Sequence, residues 1–313
     1  MNCLKHSVGF IHRAGRLAGC LGGDKNTGLV TRSTKNHKRA QPGEARGLLE
    51  STLMSIQPDG SSTPIYLVHE ILGGVGCYIE LANALGTDQP VYAFRPTSPK
   101  HGLDVRELAA LYLRDLLMFR PAGPYILGGY SFGGLVAFEM AQQLRGRGEE
   151  ADLVVMFDTW VPGLDHRLNL RERASVFLRN AGERGTNYVI RKMRDKWAYW
   201  KRIANRDILC FAGSFWEWLG LAFPERICVA QAEVANANAA ARYNPTPYCG
   251  RVLLIMSRDN ARILRRRGDP TLGWANLTGD RLEICTVASD HTAFLRAPSV
   301  HEVARLVQGK LKS

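Results

Sequence analysis

Three observations predict an α/β fold with a mostly parallel central sheet and helices on both faces. Short apolar runs recur from Thr63 onward, the pattern of strands covered on both sides. Segments of helical periodicity lie between them. Alternation of the two requires right-handed crossovers, and therefore parallel neighbours. With 313 residues, 45% of them hydrophobic, the chain can bury a core without disulfides or metal.

The N-terminal segment precedes this pattern. Gly, Arg, Lys, Asn and Thr dominate residues 1–50, with poor apolar periodicity. Such a segment cannot bury enough apolar surface to order itself. Residues 1–51 are therefore expected to be a disordered basic extension of a domain at 52–313. The Arg-rich, acid-poor composition also resembles an organelle transit peptide, whereas Arg13 and Arg16 interrupt any secretory apolar run. The expected compartment is the cytoplasm.

The elements then follow in order. Pro64–Val68 is a first strand, and residues 76–86 are helical in pattern. Pro90–Phe94 is a second strand. Asp104 caps a helix reaching about Phe119, with apolar positions 105, 108, 109, 112, 113 and 116 on one face. Gly123-Pro124 breaks it. Tyr125–Gly128 is a third strand, Leu135–Leu144 a helix and Leu153–Phe157 a fourth strand. Strands at Val252–Met256 and Leu282–Val287 and a helix at about 298–311 close the domain. The stretch from about 161 to 240 is too long for a loop. Val189, Met193, Trp197, Trp200 and Ala204 recur there at helical spacing, with Arg and Lys between them. It reads as an inserted helical subdomain whose apolar stripe covers the core or lines a pocket.

Charge excludes one class of partner. The formal net charge of +12 first suggests nucleic acid. However, residues 1–56 carry +6 and residues 161–206 carry +8, leaving −2 for the rest. No basic–aromatic nucleic-acid motif occurs. No run approaches the roughly 18 apolar residues that would span a bilayer. The seven cysteines are scattered singly, without metal-ligand spacing.

One motif carries chemistry. Gly129-Tyr130-Ser131-Phe132-Gly133 sits between a strand and a helix as G-x-S-x-G. A strand turning sharply into a helix holds its serine in strained backbone, and flanking glycines remove clashing side chains. Ser131 would then project from the carboxyl edge of the sheet at a helix N-terminus. A serine needs a base. Of eight histidines, His291 follows the last strand at the same sheet edge. Ser…Asp…His is the chain order of the α/β-hydrolases. Asp158 and Asp259 each follow a strand between Ser131 and His291, and the physics of the triad does not choose between them. Asp290 is adjacent to His291 and poorly placed for its ring. An oxyanion hole needs two N–H donors. Phe132 and Ile71, in the Gly-rich loop after the first strand, are the candidates.

Several segments resemble the thioesterase domains that end polyketide and nonribosomal peptide synthases. The resemblance covers about 52–313. It rests on IQPDGSSTPIYLVHEILGGVGCYIELANALG, QPVYAFRP, GPYILGGYSFGGLVAFEMAQQL, YNPTPYCGRVLLI and SDHTAFLRAP, in that order. It implies an α/β-hydrolase fold with a helical lid at 161–240. It further implies Asp158 as the acid, no metal or cofactor, and an acyl or peptidyl carrier protein as partner. The substrate would be an acyl thioester on a phosphopantetheine arm, released by hydrolysis or cyclisation. One departure is plain: the family usually has His-Pro-x-Gly-Gly where this chain has His69-Glu70-Ile71-Leu72-Gly73. Another is that residues 1–56 hold no carrier-domain serine motif, which suggests a free-standing thioesterase or a detached terminal piece. The same triad would serve a carboxylester hydrolase or lipase. A catalytically silent carrier-docking protein is the reading from another class.

Overall fold

In a computed structural model of the chain, residues 51–96, 102–163, 170–218, 224–265, 269 and 271–311 are described. The extension expected at 1–51 lies almost wholly outside them. Seven strands form among the described residues: β1 (Leu53–Gln57), β2 (Ile65–Val68), β3 (Val91–Phe94), β4 (Tyr125–Tyr130), β5 (Ala151–Phe157), β6 (Val252–Ser257) and β7 (Leu282–Val287). The helices are α1 (Cys77–Leu85), α2 (Val105–Phe119), α3 (Phe132–Arg145), α4 (Leu170–Trp218), α5 (Glu225–Arg242), α6 (Arg258–Arg265), α7 (Ala275–Thr278) and α8 (Ser299–Leu311).

The strands form one sheet in the order β1-β3-β2-β4-β5-β6-β7, parallel throughout except for β1. Strand side chains alternate between two cores. Tyr66 and Val68 pack with α2 and α3, and Ile65 and Leu67 pack with α1 and α8. All four are essentially water-free, each contributing about 1.5–3 kcal/mol of apolar burial. That double burial is why the strands read as unbroken apolar runs.

This topology places the site. From β2 the chain passes outward to β3, then returns to β4 on β2's other side. The connection after β2 enters α1 on one face, while β4 enters α3 on the opposite face. The loops at their carboxyl ends therefore diverge and open a crevice, the usual ligand position in such sheets.

Three local outcomes differ from the sequence reading. β1 was not anticipated: it is a short antiparallel edge strand on β3, half-exposed, with too little apolar content to stand out. The nucleophile helix starts at Phe132 rather than Leu135, because Gly133 and Gly134 form its first turn. They do so because a Cβ on Gly133 would lie 2.3 Å from the Val68 carbonyl oxygen, and one on Gly134 2.1 Å from Thr159 Oγ1. The third difference concerns the inserted helices. α4 packs against α5 through a face that includes Arg206, 3.9 Å from Glu233, and Gly213, which lies against Ile227 and Gln231. The stripe Met193, Trp197 and Trp200 does not cover the core; it is exposed. Only Val189 of that set is partly buried.

The cap at Asp104 is as expected. Its carboxylate accepts from the Glu107 amide, and the Glu107 carboxylate accepts from the Asp104 amide. Such reciprocal caps are worth about 1 kcal/mol.

Candidate active site

The turn between β4 and α3 is built by close approach. Ser131 has φ 54° and ψ −110°, a conformation that costs a side-chain-bearing residue about 1–3 kcal/mol. The strain is held by its surroundings. The Ser131 amide donates to Phe157 O at 2.8 Å, and the Ser131 carbonyl accepts from the Gly134 amide and Thr159 Oγ1. A Cβ on Gly129 would lie 2.2 Å from Gly133 C, so no other residue fits that position. The two flanking glycines are thus required by sterics.

Asp158 closes the neighbouring strand β5 and is also in left-handed backbone, φ 50°. Its carboxylate is wholly buried and accepts three hydrogen bonds. Ser257 N donates to Oδ1 at 2.8 Å, Asn260 Nδ2 to Oδ2 at 2.9 Å, and His291 Nδ1 to Oδ2 at 2.8 Å. Buried carboxylates persist when donors surround them in this way. Of the two acids left open by spacing, Asp158 is the one joined to His291. Asp259 lies in the first turn of α6, and its neighbour Asn260 reaches Asp158 instead. The Asp290 carboxylate caps the turn at His291–Ala293 by accepting from Thr292 Oγ1 and Ala293 N.

Tyr130, immediately before Ser131, fixes the histidine loop. Its ring stacks on His291 with centroids 4.9 Å apart, and its hydroxyl donates to the His291 carbonyl. Trp160 borders the imidazole from 6.1 Å. The residue beside Ser131 thereby holds His291 at the elbow, while Asp158 holds its Nδ1. The ring nitrogen left available is Nε2, about a third of the side chain remaining open to solvent.

The loop after β2 is organised around Glu70. The Glu70 amide donates to Gly74 O, the Gly73 amide to Glu70 O, and the Leu72 amide to Glu70 Oε2 at 3.0 Å. The side chain so braces the turn that a proline at this position would have stiffened. Those bonds engage the amides of Glu70, Leu72 and Gly73 and not that of Ile71, the donor expected from the sequence. On its other side Ile71 O accepts from Asn236 Nδ2 of α5 at 2.9 Å. Phe132 N–H is at the first position of α3, where helix geometry provides no acceptor.

His69, at the head of this loop, is wholly buried. Its Nδ1 donates to Glu70 O at 2.8 Å, and its Nε2 accepts from Tyr112 O–H at 2.8 Å. Burial pushes its pKa down from 6.5 to about 4. The unfolded chain therefore takes up a proton between those values that the folded chain refuses. His69 stabilises the fold above pH 6.5, and that contribution disappears as pH falls through 4. A shift of this size corresponds to about 3 kcal/mol. Denaturant unfolding at stepped pH should show His69→Gln losing less stability than the parent chain between pH 7 and pH 4. Identical pH slopes would refute the assignment.

The sequence pointed to Ser131, Asp158, His291, Ile71 and Phe132. It did not point to Tyr130, Asn236 or Asn260. Tyr130 is the first of the two variable residues of G-x-S-x-G, and the two asparagines reach the site from elements far along the chain.

A strained serine elbow, a buried aspartate on a histidine and a Gly-rich loop at a sheet switch point form the arrangement that α/β-hydrolases of the serine hydrolase class use. Comparison with known proteins narrows this. Residues 63–182 match the family "Thioesterase domain". A nonribosomal peptide synthetase of Aspergillus terreus is 37% identical over 102 residues, 31% of this chain and 11% of the relative. A non-reducing polyketide synthase of Pseudevernia furfuracea is 31% identical over 137 residues, 41% of this chain and 6% of the relative. Each match thus spans about a tenth or less of the synthase's length. The NocB thioesterase domain from the nocardicin cluster shares the fold with TM-score 0.57 at 23% identity. That likeness covers 84% of this chain and 100% of that one.

Proposed function

We propose that the chain releases an acyl, polyketide or peptidyl group from a phosphopantetheine thioester presented by an acyl or peptidyl carrier protein. The observation that carries this reading is the hydrogen bond from His291 Nδ1 to the buried Asp158, held beside the strained Ser131 elbow by Tyr130. Ser131 Oγ attacks the thioester carbonyl and His291 Nε2 takes its proton. Asp158 keeps Nδ1 protonated and stabilises the imidazolium. The oxyanion is received by the N–H groups of Ile71 and Phe132. The C–S bond then breaks, His291 returns the proton to the departing thiolate, and an acyl-enzyme ester remains. Water, or a hydroxyl or amine of the acyl chain, attacks that ester through the same histidine and restores Ser131. Asn236 holds the Ile71 peptide from α5, so the inserted helices also brace the oxyanion loop. The likeness of the chain to parts of nonribosomal peptide and polyketide synthases supports a carrier-borne substrate.

The test compares an acyl-pantetheine thioester with the oxygen ester of the same acyl group. The thioester should be turned over with kcat/KM at least about tenfold higher, a difference of some 1.4 kcal/mol between transition states. Preference for the oxygen ester would make the protein a carboxylester hydrolase. Failure to react with a fluorophosphonate, which labels activated serines, would make it a silent binding protein.

A further inference from the structure

The outer face of α4 is not part of the core or of the proposed chemistry among the described residues. Ile190, Met193, Trp197, Trp200, Ile208 and Phe211 follow one another at steps of three, four, three, eight and three residues, so they share one face of the helix. All six are between 60% and 82% exposed. They form a stripe about 30 Å long. Single exposed apolar residues are ordinary, but a continuous apolar stripe with two tryptophans marks an interaction surface. The residues turned toward α5, such as Arg206 and Gly213, lie on the opposite side of the helix. The stripe therefore faces away from the rest of the fold.

Its borders carry positive charge. Arg194 and Lys201 flank it on one side and Lys196 on the other, all exposed. Lys201 Nζ lies 5.2 Å from the Trp197 ring centroid. Asp207, on the same helix, is held by Arg206 at 2.8 Å. The segment 161–206 as a whole carries +8.

We propose that this face docks on an anionic lipid surface. Apolar side chains with tryptophan on one face and cations along its margins are what an interfacial helix requires: the rings enter the headgroup boundary and the cations meet phosphates. A second copy fits poorly, because apposed stripes would bring like-charged margins together. A carrier protein fits poorly too. α5 lies between α4 and the Ile71 loop, so a carrier seated on the stripe would have to pass its arm around two helices. No helix among the described residues is long and apolar enough to cross a membrane, so this contact is peripheral.

The test uses the full chain and vesicles of phosphatidylcholine, with or without phosphatidylglycerol. The chain should sediment with anionic vesicles at low salt, and its tryptophan emission should shift to the blue. Trp197→Gln with Trp200→Gln should weaken binding about tenfold or more while preserving every charge. Met193→Gln with Ile208→Gln should do the same, and both should retain turnover of a small soluble thioester. Lys196→Gln with Lys201→Gln should weaken binding roughly fivefold per charge, and less as salt rises. Unchanged vesicle binding by the tryptophan variant would overturn the proposal, since the basic residues of 1–56 would then suffice. Self-association abolished by that variant, without vesicle binding, would overturn it in favour of a second copy.

Discussion

Ser131→Ala should leave a folded protein whose thioester turnover is reduced on the order of 10⁴–10⁶-fold. Folding is retained because alanine keeps the Cβ and adopts the same φ of 54° under the same constraints from Phe157 O, Gly134 N and Thr159. Only Oγ is lost. The remaining catalysis would come from the oxyanion donors and from binding. Fluorophosphonate labelling should vanish in parallel, and circular dichroism should be unchanged. Full turnover by the variant would remove Ser131 from the mechanism and, with it, the proposed reaction. A general collapse of structure would instead mean that the hydroxyl is structural, which its position at a strained turn does not suggest.

The parallel sheet could be read in the sequence because its strands are buried on both faces, leaving uninterrupted runs such as Ile65–Val68 and Val252–Met256. β1 could not. An edge strand with one partner needs only half its side chains apolar, and Leu53–Gln57 looks like loop. The inserted helices were read as helical, yet the stripe offered as a cover for the core is exposed. Periodicity states that residues share a face, not what that face meets. Tyr188 and Gly213, at other angles, are the positions buried instead.

The site was legible where geometry demands a particular residue at a particular distance along the chain. Gly129 and Gly133 are demanded by 2.2 Å and 2.3 Å approaches that any Cβ would make impossible. His291 follows from its position after the last strand. The supporting residues leave no such trace. Asn260 binds Asp158 across 102 positions, and Asn236 binds Ile71 across 165. An asparagine on a helix satisfies no recognisable pattern until the tertiary fold brings its amide to a partner. The Pro-to-Glu departure in the oxyanion loop is likewise explained only in three dimensions, where Glu70 Oε2 accepts the Leu72 amide.

Asp158→Asn should cost about 10⁴ in kcat/KM, and Asp259→Asn no more than a few-fold, because of the donors around residue 158. Oδ1 accepts from a backbone amide, Ser257 N, which cannot change its role. The new NH₂ group must therefore occupy the place of Oδ2, facing Asn260 Nδ2 and His291 Nδ1. Asn260 can turn its own amide and offer oxygen. His291 has one remedy, to become the tautomer with Nδ1 bare and Nε2 protonated. That tautomer cannot accept the Ser131 proton. The chemical step is then lost while packing is nearly preserved, so kcat should fall far more than KM rises. Asp259 lies in the first turn of α6, away from the imidazole's hydrogen bonds, and its replacement leaves the Asp158–His291 pair in place. Steady-state kinetics on one soluble thioester at pH 7 would measure both variants. A larger loss for Asp259→Asn would transfer the acid to the β6 edge and undo the proposed triad.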